Sequence, residues 1–559
     1  MKPQRLPNRR IRLLLAFFVL VFAGTLARAV WLQGVEAGTL GKMATKQHRE
    51  TFEIAAPRGT IIDRTGEPLA IGEQAVSVTA NPRLIRNPRR VALAIARDLD
   101  LEPNDVFERL ADRTKGFVWV ERKADPLQAA KLQQRGLAGI GFESEEKRSY
   151  PQGSVAAHVL GYAGIDNRGL DGLERSLDPV LAGTPGTETV VKDPFGRVID
   201  VVATRAERSG HDVQLTLDHQ IQANAEAVLT ETVERWHAKA ASAIVLDPRT
   251  GAVLAMAVAP RFDANRFGAV SADRRRNRAI TDMYEPGSTF KLVTISAALS
   301  DGLVTPKTAF TLAPSIQVAD RVIHEHDPRP TERLTVARIL AESSNVGTVT
   351  IAKDLLGPDR LARWISRFGF GKPTGIDFPG ESAGAVLPRH LWSGSTIGTV
   401  PIGQGIAVTP IQMASVYAAI GNRGVQMPPH LVDRVDGVRR RHGKGRRIVS
   451  RTVAAQVMTM LRGVVDAGTG TSAAVPGYTV AGKTGTANKP ENGGYSTSKY
   501  VASFVGLVPA KKPRLAIMVM VDEPRGAIFG GVVAAPAFQE IARFDLQYLE
   551  VPPDAPLPG

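Results

Sequence analysis

The sequence contains no cysteine. Disulfides and thiol catalysis are therefore excluded. The compartment stays open, since an oxidising space tolerates a chain without thiols. Nucleic-acid signatures are missing too: there is no zinc-finger spacing, no aromatic RNP pattern and no basic heptad region, so no nucleic-acid partner is expected. No internal repeat stands out. Composition gives no sign of wholesale disorder, because 43% apolar and 22% charged residues are ordinary for a globular protein with a sizeable core. At about 100–200 residues per domain, the 559 residues allow two to four domains.

What is present begins with charge. The formal net charge is +15, which favours anionic partners such as a lipid surface or a cell-wall polymer without choosing between them. Lys2, Arg5, Arg9, Arg10 and Arg12 crowd residues 1–12 with no acid among them. An apolar run follows from Leu13 to Leu26, and Ala27 to Leu32 extends it with one charge, Arg28. A spanning helix needs about 20 residues. Residues 13–32 reach that length if Arg28 snorkels to the interface and Trp31 anchors there. The positive-inside rule then places the basic tail in the cytoplasm and the rest outside. A cleaved signal peptide would have to use Ala27-Arg28-Ala29, a poor site because of its charge.

Residues 46–205 read as mixed α/β. Glu53 to Asn81 alternates apolar and polar residues and is broken by Pro57, Gly59, Gly66 and Pro68, a pattern of strands and turns. Pro103-Asn104-Asp105 opens a helix. A loop at Gly183 to Gly186 leads into a basic hairpin ending near Arg208. No nucleophile-and-base pair lies here, so this region is read as a pedestal. Residues 206–240 form a linker with a helix from Asp218 to Trp236. Ala243–Leu246 and Ala252–Val258 form a hairpin about a turn at 247–251. A helix-rich stretch runs from 288 to 422, and its Ile411–Ile420 segment is apolar all round and therefore buried. Strands return at Tyr478–Ala481, Ala502–Val508 and Leu515–Val521. The pattern predicts one sheet built from both ends of a domain at 241–547, a helical lobe, and a loose Pro-rich tail at 548–559. The densest charge run, Arg439 to Arg447, reads as a solvated hairpin loop, or as a contact for anionic lipid or polymer.

Three short motifs could carry chemistry. In Glu285-Pro286-Gly287-Ser288-Thr289-Phe290-Lys291, the Pro-Gly turn before an apolar run places Ser288 at a helix N-terminus, where backbone N–H groups favour developing negative charge. Lys291, three residues on, shares its face. A desolvated lysine can be neutral enough to take a serine proton. In Ser343-Ser344-Asn345, in a helical or turn-like segment, Ser343 is a candidate proton relay and Asn345 a candidate for holding a substrate amide. In Lys483-Thr484-Gly485-Thr486, on a strand, Lys483 supplies positive charge and Gly485 permits close approach of a substrate backbone. The Thr486 N–H could complete an oxyanion hole with that of Ser288. Each motif alone is weak, since a capping serine, a helix-cap asparagine or a strand glycine occurs in many chains. Their order and local context together match the set used by penicillin-binding proteins and class A β-lactamases.

With these residues in view, the chain resembles class B penicillin-binding proteins, the monofunctional D,D-transpeptidases. The resemblance covers nearly the whole chain. Arg58-Gly59-Thr60-Ile61-Ile62-Asp63-Arg64 and Gly169-Leu170-Asp171-Gly172-Leu173-Glu174 look like pedestal signatures. Arg276 to Asp282 runs into Glu285-Pro286-Gly287 in the manner of the division-specific, penicillin-binding protein 3 subgroup. Gly403-Gln404-Gly405 and Ala481-Gly482 also fit, and Phe290 stands where other members vary.

The resemblance implies an α/β fold. A single transmembrane helix would precede a dimerisation-type pedestal and a β-lactamase-like catalytic domain with an antiparallel sheet flanked by helices. It implies that Ser288 attacks the penultimate D-Ala carbonyl of a stem peptide ending in D-Ala-D-Ala, and that a neighbouring stem amine takes the acyl group. Ser288, Lys291, Ser343, Asn345 and Lys483 would be catalytic. Thr484, Gly485 and Thr486 would bind substrate. β-Lactams would acylate Ser288, and no metal or other cofactor is needed. The implied setting is the inner membrane, with the catalytic domain outside the cytoplasm. A polytopic glycan polymerase and other division proteins would be partners there. Which of Lys291, Ser343 and Lys483 is the base in each half-reaction stays open, as does elongation in place of division.

Other readings are narrower. His324-Glu325-His326-Asp327 contains a His-x-His pair, but it lies in a Pro-rich loop with no third ligand evident and reads as solvated. A β-lactamase or β-lactam sensor would share the motifs. Glu381 is a conceivable deacylation base, although Gly375 to Glu381 looks like a transpeptidase segment and the anchor and pedestal argue against a lactamase. A non-catalytic division scaffold would not need all five polar residues.

Overall fold

A computed structural model describes residues 8–38, 49–192, 198–491 and 493–556. Lys2 and Arg5 of the basic tail, the first residues of the expected pedestal at 46–48 and the last residues of the tail, 557–559, lie outside the described residues. The chain divides into two compact units, residues 1–57 with 183–209, and residues 58–182 with 210–559.

The first unit holds the apolar helix. It runs from Asn8 to Val30 and continues as a π-helical turn over Trp31–Val35. The stretch Arg9–Val35 is 27 residues long with mean hydropathy 2.3 and none of its most apolar window buried. Its rise of 1.5 Å per residue makes it long enough to cross a hydrocarbon core of about 30 Å. The same unit contains a three-stranded antiparallel sheet in the order Arg49–Ile54, Gly186–Lys192, Val198–Arg205.

In the second unit, the long strand Pro68–Ala80 organises a seven-stranded sheet. It pairs antiparallel with Ile61–Ile62, Val118–Ala124 and Ile140–Ser149. Val213–Leu215 adds in parallel to Ile61–Ile62 and antiparallel to Val432–Val435. Segments far apart in sequence thus share one sheet. The two pedestal signatures meet beside it. Glu174, fully buried, accepts from Arg58 Nε at 2.7 Å and from Arg148 Nε at 2.6 Å. Arg58 Nη1 also donates to Asp178 at 2.7 Å. Two buried guanidiniums therefore depend on one carboxylate.

A second sheet in this unit has five antiparallel strands in the order Val253–Ala259, Ala240–Leu246, Leu515–Asp522, Gly494–Val508, Ala481–Glu491. The strand Leu515–Asp522 is buried throughout because helices cover both faces. Alternation still sorts the side chains. Ile517, Val519 and Val521 join Ala241 and Ala243 under the helices His219–Arg235 and Ala535–Tyr548. Met518 and Met520 face the other core. There Pro410–Gly421 lies buried along its length, as its all-round apolarity predicts. It is capped by Thr409, which exchanges hydrogen bonds with Gln412. Helices Lys291–Ser300 and Arg451–Ala467 complete that side.

Three local expectations change. The strand expected at 478–481 begins at Ala481 and runs on to Glu491. Tyr478 and Thr479 instead hold the tail: Tyr478 Oη donates to the Val551 carbonyl at 2.6 Å and the Thr479 N–H to Asp554 Oδ1 at 2.6 Å. The tail is therefore docked through residue 554, where Pro content had suggested a loose end. Residues 439–447 form no hairpin, since Val438–Arg439 pairs with Val432–Val435 while Arg446–Arg447 pairs with Val425–Gln426.

Glu174→Gln tests the pedestal ion cluster. Leaving two buried guanidiniums short of their carboxylate should cost about 3–5 kcal/mol. A denaturant midpoint unchanged from wild type would show that the cluster does not support the fold.

Candidate active site

The site begins with a turn that only glycine can make. Gly287 has φ +53°, and a Cβ there would lie 2.7 Å from the Thr486 carbonyl oxygen. Gly403, φ +80°, comes so close from the other side that a Cβ would lie 2.2 Å from the Gly287 oxygen, and the Gly287 N–H donates to the Gly403 carbonyl at 3.1 Å. Ser288 follows in a 3₁₀ turn, Gly287–Phe290, that feeds directly into the helix Lys291–Ser300. It is half-buried. Tyr417, fully buried in the long apolar helix, donates its hydroxyl to the Thr289 carbonyl at 2.9 Å and fixes the turn from below.

Lys291 is fully buried. Its side-chain nitrogen lies within hydrogen-bond reach of the Ser343 carbonyl, of Ser343 Oγ at 3.2 Å and of Asn345 Oδ1 at 2.8 Å. Burial, and next the nearby charge of Lys483, hold its pKa well below the ordinary lysine range. The first two motifs therefore meet at one nitrogen. Ser343 reaches it because its backbone is left-handed, φ +60°, an uncommon state for a residue other than glycine. Ser344 faces away. Its hydroxyl accepts from the Gly347 N–H at 2.9 Å, capping the helix Asn345–Thr350, and donates to Glu325 Oε1 at 2.5 Å.

His324, His326 and Asp327 are exposed, as the reading of a solvated loop expects, and the one departure among 324–327 is Glu325. It is 9% exposed and accepts from the Asn345 N–H at 2.8 Å as well as from Ser344. Asn345 Nδ2 donates to the His324 carbonyl at 3.1 Å, so this loop sets the orientation of Asn345. The group with metal-ligand geometry among the described residues lies elsewhere, at Asp63, Asp218 and His219. There Asp63 already accepts from His219 Nδ1 at 2.7 Å and Asp218 from Arg64 at 3.0 Å.

The third motif lies on the edge strand Ala481–Glu491. Lys483 is fully buried, and burial pushes its pKa down to about 7. Thr484 Oγ1 lies 2.8 Å from Thr469 Oγ1, and Thr486 Oγ1 accepts from the Gly530 N–H at 3.1 Å. At Gly485 the close approach comes from the protein itself. A Cβ would meet Ser503 Oγ at 2.4 Å, the Pro286 carbonyl at 2.9 Å and Thr289 Cγ2 at 3.0 Å. The glycine lets the Ser288 turn lie against the strand. Glu285 ties in the last motif: its Oε1 accepts from the Gly405 N–H at 2.9 Å and from Tyr495 Oη at 3.0 Å.

The expected residues thus fall on one turn, one helix start and one strand edge. Sequence reasoning missed Glu325, Tyr417 and Thr469, whose partners lie far away in the chain. Of the added supports, Glu285 and Gly403-Gln404-Gly405 carried a motif signal. The arrangement can activate a serine hydroxyl with a neutral amine, hold an anionic group beside a buried ammonium, and receive an extended peptide at a strand edge.

Comparison with known proteins agrees with this chemistry. The sequence profile of the penicillin binding protein transpeptidase domain matches residues 241–543, and that of the penicillin-binding protein dimerisation domain matches residues 53–215. The probable peptidoglycan D,D-transpeptidase PenA of Neisseria meningitidis is 35% identical over 98% of this chain and 94% of its own length. Peptidoglycan D,D-transpeptidase FtsI of Escherichia coli is 33% identical over 98% and 93%. The crystal structure of penicillin binding protein 3 from Mycobacterium tuberculosis complexed with aztreonam superposes with a TM-score of 0.71. It is 33% identical and covers 90% of this chain and 99% of that one.

Glu325→Ala isolates the support of Asn345. Losing charge-assisted bonds worth about 1.5–3 kcal/mol should slow acylation by a fluorescent penicillin roughly tenfold to a hundredfold, read by stopped flow. A wild-type rate would remove Glu325 from the site.

Proposed function

This chain belongs to the penicillin-binding protein transpeptidases, and from that footing we propose that it is a membrane-anchored class B peptidoglycan D,D-transpeptidase that cross-links septal stem peptides through Ser288. The observation that carries this reading is the buried Lys291 nitrogen, held by Ser343 and Asn345 one turn from the serine.

In the first half-reaction Ser288 Oγ attacks the penultimate D-Ala carbonyl and gives its proton to Lys291, neutral because it is desolvated. The oxyanion is met by the N–H groups of Ser288 and Thr486. The terminal D-Ala leaves as an amine, taking a proton delivered through Ser343, and the C–N bond is replaced by a C–Oγ ester. Lys483 pairs with the terminal carboxylate. The stem lies along Thr484, Gly485 and Thr486 as an added strand. In the second half-reaction the acceptor amine forms the new C–N bond, and Ser288 Oγ regains its proton as the ester breaks. The same ring of groups would open a β-lactam.

The rival reading as a β-lactamase needs a free carboxylate to activate water. Glu381 does not offer one, because it already accepts from the Thr374 N–H at 2.6 Å, from Thr374 Oγ1 at 2.6 Å and from the Gly375 N–H at 3.1 Å. The septal assignment draws support from the similarity to FtsI and from the Arg276–Asp282 segment. The domain plan in this reading is a pedestal at 46–205 and a catalytic domain at 241–547, beyond a helix whose N-terminus is cytoplasmic. Contact with a glycan polymerase would fall to the anchor and the pedestal.

Fluorescent penicillin should label the wild-type chain and leave Ser288→Ala unlabelled at matched fold; equal labelling of both would sink the nucleophile assignment. The pH profile of acylation carries a second test. Activity rises as pH passes the depressed pKa of Lys291, because the base must be neutral. It falls above about 7 as Lys483 loses its charge. Lys483→Arg, charged at every accessible pH, should remove the alkaline fall in whatever activity it retains. Persistence of that limb would mean that another group produces it.

A further inference from the structure

We propose that a cationic cavity on the catalytic domain, separate from the Ser288 cluster, docks the stem-peptide carboxylates of un-cross-linked glycan strands as a second, non-reacting contact. The inference rests on the substrate class proposed above.

The cavity, of about 520 Å³, lies between the end of helix Gly357–Phe368, the turn at 369–374 and the segment 426–446. Its size suits a ligand of several residues or rings. Lys372, Lys444 and Arg446 line it, and no Asp or Glu does. Neither lysine nitrogen has an ion pair or hydrogen bond among the described residues. Arg446 is held in place by neutral acceptors, the Arg367 carbonyl at 2.7 Å and Gln426 Oε1 at 2.9 Å, so its charge is fixed in position and uncompensated.

The acids nearest in the chain are engaged elsewhere, Asp433 with Arg434 and Arg439 and Asp436 with His211. Glu381 holds Thr374 and Gly375, and Asp377 accepts from the Leu431 N–H at 2.6 Å and the Val432 N–H at 3.0 Å. A second cavity of about 350 Å³ shows the opposite pattern. Its Arg276, Arg278 and Lys489 pair with Asp273, Asp282 and Asp522. The surplus of positive charge thus distinguishes the first cavity from the second.

Two of its cations come from the densest charge run in the sequence. That run is a fixed wall: Arg446 pairs with Gln426 in a short strand ladder, and His442 stacks on His430 with ring centres 3.5 Å apart. Phe368, Met427 and Pro428 add apolar surface. Cations beside apolar walls fit a carboxylate carried on a peptide. The proposed substrate repeats such carboxylates along one polymer. A second contact makes engagement of the reacting stem effectively intramolecular.

The test uses the full-length chain in detergent micelles and soluble un-cross-linked glycan strands carrying pentapeptide stems. Lys372→Gln/Lys444→Gln, both exposed, is compared with wild type for strand affinity, penicillin acylation rate and thermal unfolding. Removing two charges should weaken strand binding roughly fivefold to tenfold and flatten its salt dependence, with acylation and unfolding unchanged. Unchanged strand affinity overturns the proposal, as does equal binding of strands with amidated stems. If vesicles containing anionic phosphatidylglycerol lose binding in the variant while strands do not, the ligand is a membrane and the proposal fails. Absence of penicillin labelling in wild type would instead bring down the transpeptidase reading, and the strand measurement would stand apart from it.

Discussion

Two lysines without exposed surface, Lys291 and Lys483, set the terms for the rest of the catalytic domain. Removing an ammonium from water costs several kcal/mol unless a charge or a full set of acceptors replaces the water. Lys291 has acceptors but no carboxylate in contact: a carbonyl, a hydroxyl and an amide oxygen. The nearest acid, Glu325, stands one layer out and is itself balanced by Arg329 at 3.6 Å. The field at Lys291 is therefore weak, burial prevails, and the second lysine pushes in the same direction. A carboxylate in direct contact would keep the amine charged and useless as a base. The neutral oxygens around Ser343 and Asn345 satisfy the nitrogen but favour its charged form less than a carboxylate in contact would.

That network holds only if three backbone segments approach more closely than side chains allow. Gly287, Gly403 and Gly485 meet around the serine turn, where added methyl groups would fall between 2.2 and 2.9 Å from backbone oxygens. The helix Pro410–Gly421 supplies the floor through Tyr417, and Glu285 ties Gly405 to the turn. Each glycine serves the packing of the protein against itself. The substrate then inherits a groove whose width is set by backbone atoms, which vary less than side-chain rotamers.

Much of this was legible in advance where the signal is local. The helix after Asp218, the hairpin of Ala240–Leu246 with Val253–Ala259, and the buried helix at 410–421 follow from periodicity and turn residues. The polar residues of the motifs were legible because their identities and order are constrained by chemistry. What escaped was long-range. Glu325 reads as one more charge in a Pro-rich loop, and nothing in its neighbours announces Ser344. Lys483 lies on a strand as its motif predicts, but that strand starts at Ala481 and not at Tyr478, where Tyr478 and Val480 give an apolar signal. The true strand, Ala481–Glu491, is polar over much of its length and takes its burial from the nucleophile turn and from the Gly530 loop. The Pro-rich tail gave no hint that Asp554 would find Thr479.

The edge position of that strand follows from the same constraints. An open edge is ordinarily a hazard, since unpaired backbone groups recruit other chains. Here the strand pairs on one side with Gly494–Val508 along most of its length, and Gly530 and Thr469 secure the side chains of Thr486 and Thr484. The nucleophile turn approaches it at Gly287 and Thr486. As proposed, an arriving peptide pairs with the backbone beside Thr484, Gly485 and Thr486, next to the Ser288 turn. On the proposed reading, the hazard of a free edge is confined to the few residues at which an extended peptide is wanted. The two buried lysines also disfavour an incoming cation on that reading, because it would face two amines. A terminal carboxylate, by contrast, favours the charged form of Lys483 as it arrives, so that binding itself sets the protonation state the first step requires.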